Sequence, residues 1–411
     1  MANELVGLAE VAADAVDRLA ITPIQTMHTA IARRVFGSTP ASAPARVIHD
    51  GIATAVYSGV RGTARGAAAL AGVAARSAAP ADVRPLSGSP RGRFFVGALN
   101  GVTGDRLDET GNDLAIAMAV RVRGEDVACT PERIRDTFAG ATPRAVVFLH
   151  GLAETEEWWL RRRSDAGGRR LRPFGERLRA DAGLTPVYLR YNTGRHVSEN
   201  GWSLAVLLER LVEAWPLPLE ELVLVGHSMG GLVIRSACHL GAEAGHAWPE
   251  RVRDVVTLGA PHHGAPLAKA IHTAAWALRA LPEATPLADI LDLRSNGIRD
   301  MRFGSLHDDD WREEDRGALL GDTRRPVPLM PHCRYTFIAA TLTREPGHLL
   351  GRLVGDLLVR TESAHGRCRQ RTVQLERGSV VHLGGLTHFD LLDHPAVYEV
   401  LRATLAAAAI R

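Results

Sequence analysis

The chain has 411 residues, a formal net charge of +3 and four cysteines. This length exceeds one average domain and leaves room for a large core with an accessory segment. The composition, 46% hydrophobic and 23% charged, is that of an ordinary soluble protein, and so small a net charge excludes nucleic acid as an expected partner.

The first 78 residues are rich in alanine and predict a helical extension. Apolar side chains recur on one face of a first helix that reaches Leu19, and Pro23 suits the first turn of a second helix. A third helix is expected over about residues 47–75. Arg61 and Arg65 interrupt its surface, so the remaining apolar run is too short to span a bilayer.

Residues 79–93 contain several prolines, serines and glycines and have the composition of a linker. The N-terminus lacks the basic flank and the apolar run of a secretory signal, so we expect a cytoplasmic protein. Because the helices over residues 1–78 are amphipathic, we also expect a weak peripheral contact with a membrane or another hydrophobic interface. Packing of these helices on the rest of the protein is the alternative.

From residue 94 onward the pattern changes to strands alternating with helices, which predicts an α/β domain over residues 94–411. We expect an antiparallel opening pair over residues 94–99 and 114–123. Further strands are expected over residues 144–149, 185–191, 222–225, 254–259, 335–340 and 379–383. The alternation implies a mostly parallel sheet with helices on both faces.

One strand ends in a motif that carries chemistry. Residues 222–231 read Leu-Val-Leu-Val-Gly-His-Ser-Met-Gly-Gly, an apolar run that ends in Gly-x-Ser-x-Gly before a helix-forming segment. Such a turn holds a serine in strained geometry, and small neighbours let the strand and the helix approach each other. The motif predicts Ser228 as a nucleophile; a glycine-rich turn without chemistry is the alternative.

A nucleophilic serine requires a histidine base and an orienting carboxylate, and in this arrangement they follow in the order serine, acid, histidine. His388 is the preferred base because it lies just after the last strand and before the final helix. Asp356 is the preferred acid, and Glu362 is its rival. The backbone N–H groups of Leu152 and Met229 are the expected oxyanion hole.

These pieces resemble a known family, the α/β-hydrolase fold, and within it the bacterial lipase and esterase-like members related to the inositol-deacylase type. The resemblance is carried by residues 148–152 (Phe-Leu-His-Gly-Leu), 226–231, 258–264 (Leu-Gly-Ala-Pro-His-His-Gly), 355–359 with 363–364, and 387–390. It implies the same triad of Ser228, Asp356 and His388. Leu357 is a departure, since such lipases usually carry glycine after the acid.

Residues 265–331 separate two strands by more than an ordinary connection and predict a helical cap insertion over the catalytic edge. Trp276 and other apolar residues in it would form an acyl pocket, with Trp158 and Trp159 as a second wall. An ordinary helical insertion that packs on itself is the alternative.

The sequence therefore predicts a serine hydrolase that cleaves carboxylic esters with an apolar acyl chain through an acyl-enzyme. No cofactor and no metal are expected. Asp390 and Asp393 suggest calcium as a minor alternative, but a helix-cap role explains Asp390 without a metal. Acyl transfer and amide hydrolysis use the same machinery and stay open, as does a non-catalytic scaffold whose N-terminal helices bind a surface or partner.

Overall fold

The computed structural model describes most of the chain. The described residues are 4–36, 43–78, 86–164, 168–265, 268–269, 273, 278, 289, 291–312, 324–344, 356, 358–367 and 371–406. Much of the expected cap over residues 265–331, including Trp276, therefore lies outside the described residues. The chain divides into two compact units. The first comprises Met1–Val96, Arg106–Ala115 and Ala270–Arg294, and the second comprises Gly97–Asp105, Ile116–Lys269 and Ser295–Arg411.

The first unit contains the three helices expected near the N-terminus: α1 (Glu4–Val16), α2 (Thr22–Phe36) and α3 (Ala43–Ala78), with a π-helical turn between α1 and α2. Helix α1 packs against α3. Arg61 of α3 donates to Asp17 at 2.8 Å and joins the long helix to the π-helical turn. In the described part of the chain, no helix has both the length and the hydropathy that a membrane span needs.

Residues 94–99 were expected to form a strand, and this expectation is wrong. They lie inside helix α4 (Pro90–Glu109), which follows a 3₁₀ turn at Leu86–Gly88 within the expected linker. Ser89 caps the helix by accepting a hydrogen bond from the N–H of Gly92 at 3.0 Å. The apolar run was ambiguous because β-branched and aromatic residues favour strands, but a proline after a serine cap starts a helix.

The second unit is built on an eight-stranded sheet. Its strands are β1 (Ala119–Val122), β2 (Glu125–Val127), β3 (Arg144–Leu149), β4 (Thr185–Arg190), β5 (Glu221–His227), β6 (Val252–Leu258), β7 (Arg334–Thr341) and β8 (Gly378–Gly384). The order across the sheet is β2-β1-β4-β3-β5-β6-β7-β8. Strand β1 pairs antiparallel with β2 and β4, and every other pairing is parallel. The opening antiparallel pair is thus β1 with β2.

Helices cover both faces of this sheet, as the alternating pattern predicted. They are α5 (Pro131–Thr137), α6 (Phe174–Ala182), α7 (Val197–Ala214), α8 (Met229–Glu243), α9 (Asn296–Asp300), α10 (Asp309–Arg312), α11 (Thr361–Ala364) and α12 (Pro395–Ala406). Successive residues of β3 point to opposite faces: Val147 lies in one core cluster with Leu204 of α7, whereas Phe148 lies in a second cluster with Leu401 of α12. Burial on both faces explains why the central strands are continuously apolar.

Candidate active site

Ser228 lies at the sharp turn between β5 and α8. Its backbone angles, φ 51° and ψ −122°, fall where a residue with a side chain is rarely found. A Cβ on Gly226 would lie 2.6 Å from the nitrogen of Gly231, and one on Gly230 would lie 2.6 Å from the carbonyl oxygen of His150. The two glycines therefore permit the close approach that the motif predicted, and the turn stores strain of roughly 1–3 kcal/mol.

The candidate base and the candidate acid meet in a buried contact. His388 begins a 3₁₀ turn after β8, and its Nδ1 lies 2.7 Å from Oδ2 of Asp356. Their side chains are 2% and 1% exposed. The backbone N–H of His388 also donates to the carbonyl of Asp356 at 3.1 Å. Two bonds between the same two residues hold the imidazole in one orientation.

The other oxygen of Asp356 is held by main chain. Its Oδ1 accepts hydrogen bonds from the N–H groups of Leu358 at 3.1 Å and Val359 at 2.9 Å, which leaves Oδ2 for the imidazole. Leu357, the departure from the family pattern, lies outside the described residues. Glu362, the rival acid, is exposed on α11, whereas Asp356 contacts the base directly.

Gly259, at the end of β6, connects the serine turn to the histidine. The N–H of Ser228 donates to the carbonyl of Leu258 at 2.8 Å. Gly259 has φ 61°, and a Cβ there would lie 3.0 Å from Cε1 of His388. The imidazole of His388 thus packs against the backbone of Gly259, next to the serine turn. The sequence analysis did not single out Gly259, although the Leu-Gly-Ala-Pro segment signalled a turn there.

The loop after β3 is held in place around the expected oxyanion donor Leu152. The N–H of Gly151 donates to Glu154 at 2.7 Å, and the N–H of Ala153 donates to Thr193 at 3.1 Å. A Cβ on Gly151 would lie 3.0 Å from the Cβ of Ser228. This loop therefore borders the serine.

The second expected donor, Met229, is the first residue of α8. A residue at this position has no carbonyl in a preceding helical turn to accept its N–H. The helix dipole also favours negative charge at this end.

A buried pair that the sequence analysis missed lies behind these residues. Nδ1 of His227 is 3.0 Å from Glu154, and Nε2 of His227 is 3.2 Å from the carbonyl oxygen of His388. Burial disfavours the charged imidazole, but the Glu154 carboxylate outweighs it and raises the pKa of His227. Burial likewise opposes ionisation of Glu154, yet His227 and the Gly151 N–H lower the pKa of that carboxyl. Both shifts therefore favour the charged form of the pair.

Helix α4 packs closely against the loop that holds these residues. A Cβ on Gly101 would lie 2.6 Å from the Cβ of Ala153, and one on Gly97 would lie 2.6 Å from Thr155. Ala153 itself has a positive φ of 60°. The glycines of α4 therefore leave space for a strained loop, a relationship that local patterns do not reveal.

The tryptophans expected to line an acyl pocket differ in position. Trp159 is 1% exposed and packs in the core with Phe148, with ring centroids 5.0 Å apart, so it offers little surface to a substrate. Trp158 is partly exposed and packs with Phe389, the residue after His388, at 5.2 Å. Trp158 is therefore the better candidate of the two.

The carboxylates that suggested calcium have other partners. Arg163 donates to Asp390 at 2.7 Å and to Asp393 at 2.9 Å. Asp390 also accepts the N–H of Thr387 at 2.8 Å in a capping box. The arginine offsets one of the two negative charges and occupies one oxygen of each carboxylate, which disfavours a cation there.

A different group could hold a metal. His239 and Glu243 of α8 and His307 offer three ligand atoms that lie within 4.8 Å of one another. Two imidazoles and one carboxylate suit a divalent transition ion. This group uses none of the candidate catalytic residues.

The sheet order and the strained serine turn define an α/β-hydrolase fold, as the sequence predicted. Residues 193–284, which include Ser228, match the family described as the PGAP1-like alpha/beta domain. The chain therefore has the α/β-hydrolase fold, and its similarity to the PGAP1-like alpha/beta domain covers that segment.

Similar solved structures are distant from this chain. The mature lipase BlEst2 of Bacillus licheniformis is 20% identical with a TM-score of 0.42, over 64% of this chain and 91% of its own. An esterase of Pyrobaculum calidifontis is 15% identical with a TM-score of 0.38, over 66% of this chain and 78% of its own. No curated protein matches the chain by sequence.

Proposed function

We propose that this protein is a serine hydrolase that cleaves carboxylic esters with an apolar acyl chain. The observation that carries the proposal is the buried contact of 2.7 Å between His388 and Asp356, next to a serine held in strained geometry. A histidine that is oriented by a buried carboxylate is the base that a serine hydroxyl needs.

In the proposed reaction, Oγ of Ser228 attacks the ester carbonyl while Nε2 of His388 takes the hydroxyl proton. Asp356 holds Nδ1–H and stabilises the imidazolium. The N–H groups of Leu152 and Met229 stabilise the negative oxygen of the tetrahedral intermediate. His388 then gives its proton to the leaving alcohol, which leaves Ser228 acylated. A water activated by His388 releases the carboxylic acid, and no cofactor takes part.

The preference for an apolar acyl group is supported by the aromatic pair beside the proposed base. Trp158 and Phe389 pack against each other, and Phe389 is 42% exposed. Exposed aromatic surface next to a reacting group binds apolar substrate portions. Trp276, which we also propose as part of the acyl pocket, lies outside the described part of the chain.

The proposal is tested by labelling with an alkyl fluorophosphonate, followed by a chain-length series of nitrophenyl esters. We expect a covalent adduct on Ser228 and turnover that rises with acyl length before it levels off. An added alcohol that appears in the product would indicate acyl transfer, and faster cleavage of matched anilides would indicate an amidase. Folded protein without any adduct would favour the non-catalytic scaffold.

We also propose that the N-terminal helices make a peripheral contact with a membrane or another apolar surface, from the cytoplasmic side. Helix α3 exposes several apolar side chains: Val47 at 72%, Ile52 at 61%, Val56 at 56%, Val60 at 48% and Leu70 at 71%. Burial of each exposed apolar side chain against such a surface would lower the free energy of the system. A single helix of this kind gives a weak and reversible attachment.

A further inference from the structure

The second unit contains a cavity that the proposed catalytic residues do not line. Its volume is about 610 Å³, and it lies beside α8. Five arginines line it: Arg235, Arg324, Arg325, Arg371 and Arg377. Two acidic residues, Asp310 and Glu376, also line it. The formal charge of the lining is therefore positive.

The Asp310 carboxylate is held in place by three backbone N–H groups, and no ion pair joins it to Arg235. Oδ2 accepts the N–H groups of Leu306 at 2.8 Å and His307 at 3.1 Å, and Oδ1 accepts the N–H of Arg325 at 2.9 Å. These bonds hold the loop that forms one side of the cavity. Asp310 is therefore a structural carboxylate.

Arg235 is a buried arginine that has no acidic partner among the described residues. It lies in α8 and is 5% exposed. Nη1 is 3.3 Å from Nδ1 of His262, Nη2 donates to the carbonyl of Val327 at 3.3 Å, and Nε has no hydrogen-bond partner. No described carboxylate lies within ion-pair distance of this guanidinium. Burial, and then the nearby Arg324, lower its pKa to about 10, so it is still charged at neutral pH.

The imidazole that contacts Arg235 does not neutralise it. Burial, followed by the charge of Arg235, lowers the pKa of His262 well below its usual value, so this histidine is neutral. Nε2 of His262 lies 3.1 Å from the hydroxyl of Thr257. A buried charge with no counterion costs free energy, and an anion at the guanidinium offsets that cost.

The rest of the cavity wall is largely apolar. Val327, Leu329, Met330 and Val373 line it together with Tyr335. A bare inorganic ion would leave this surface in contact with water. A ligand with both an anionic group and an apolar portion would satisfy the arginine and cover the wall.

We propose that this cavity binds an organic anion whose carboxylate or phosphate is held by Arg235 and whose apolar portion packs against Val327, Leu329 and Met330. The planar fork of a guanidinium matches two oxygens of either group. The site shares no residue with the proposed triad, so it holds whether or not Ser228 is a nucleophile.

The first test titrates the full-length protein in a calorimeter with hexyl phosphate, hexanoate, inorganic phosphate and hexanol. We expect saturable binding of hexyl phosphate or hexanoate, weaker binding of inorganic phosphate and none of hexanol. The stronger of the two anions identifies the head group. Hexanol binding as tight as that of either anion would overturn the proposal. A failure of both hexyl phosphate and hexanoate to bind saturably would also overturn it.

The second test repeats the titration with Arg235→Met and with Arg312→Met, an exposed arginine on α10 that does not line the cavity. Arg235→Met should lower the affinity by about tenfold or more, because it removes a charge-assisted bond. Arg312→Met should bind as the wild type does. Anion binding that survives Arg235→Met would show that the ligand lies elsewhere and would overturn the assignment.

A urea titration without ligand separates this result from a folding defect. Arg235→Met should unfold at a urea concentration no lower than the wild type, since it removes an unpaired buried charge. If this variant does not fold, Arg235→Lys serves instead, because it keeps the charge but loses the planar fork. Lysine should weaken anion binding several-fold, and wild-type affinity in that variant would contradict the proposed fork.

Discussion

Glu154 and His227 form an ion pair of 3.0 Å behind the proposed catalytic histidine, with side chains that are 3% and 0% exposed. His227 precedes the serine, and Glu154 follows the expected oxyanion loop. The same carboxylate holds the N–H of Gly151, while Nε2 of His227 reaches the carbonyl of His388. One buried pair thus joins the three segments that carry the proposed chemistry.

Glu154→Gln should lower the free energy of unfolding between about pH 4.5 and 6.5 by roughly 3 kcal/mol, because it leaves a buried partner unpaired. The pKa of His227 is raised, so its contribution is present at low pH and is lost as pH rises through that pKa. The pKa of Glu154 is lowered, so its contribution is lost as pH falls through that pKa.

Urea unfolding of Glu154→Gln and wild type at several pH values checks this. The difference should be largest between about pH 4.5 and 6.5, and it should shrink as pH rises through the raised pKa of His227 or falls through the lowered pKa of Glu154. Glu220→Gln, at an exposed position, is the control and should change little. A difference between Glu154→Gln and wild type that does not depend on pH would contradict the ion pair.

Ser228→Ala should remove ester hydrolysis, by about 10⁶ in turnover, while the protein stays folded. The hydroxyl is the attacking group, and alanine occupies the same turn with a smaller side chain. Nitrophenyl ester turnover and circular dichroism measure the two effects. Ser379→Ala, an exposed serine at the start of β8, should retain full activity. Near-normal turnover in Ser228→Ala would reject Ser228 as the nucleophile.

Asp356→Asn should lower turnover by roughly 10⁴. Oδ1 accepts two backbone N–H groups, so the amide oxygen takes that position and the NH₂ group faces Nδ1 of His388. The imidazole is then held in the wrong tautomer. Glu362→Gln is the control and should leave turnover close to normal. If the two variants exchanged their effects, Glu362 would be the acid.

Gly101→Val should reduce both stability and turnover, because its side chain would press on Ala153 in the expected oxyanion loop. Overpacking of this kind costs about 1–3 kcal/mol. Gly59→Val, also within a helix, is the matched control, since a Cβ there meets nothing within 4 Å. Thermal unfolding and nitrophenyl ester turnover check both variants. Equal behaviour of the two would mean that α4 does not support the loop.

Replacing Val56 and Val60 by aspartate should reduce recovery of the protein with lipid vesicles and leave hydrolysis of soluble short esters unchanged. Both side chains are exposed on α3, so the helix should tolerate the change. Thr54 and Thr63, also exposed on α3, changed together to aspartate form a control of equal charge. Equal vesicle recovery of the two double variants would contradict the proposed apolar contact.

Local patterns were sufficient to predict the central features of the fold. Glycines at positions 226 and 230 flank Ser228, and the close approaches at both positions show why nothing larger fits. The apolar run of β5 is buried throughout, because a central parallel strand has helices on both faces. Both features depend on neighbouring residues, and sequence patterns carry that information well.

Other features depend on residues that are far apart in the chain, and only the tertiary structure could decide them. Glu154 and His227 are 73 positions apart, and the sequence around neither residue indicates that the two side chains pair. The absence of a carboxylate partner for Arg235 among the described residues depends on loops from several parts of the second unit. Packing and charge balance between distant segments determine such features, and local sequence patterns do not predict them.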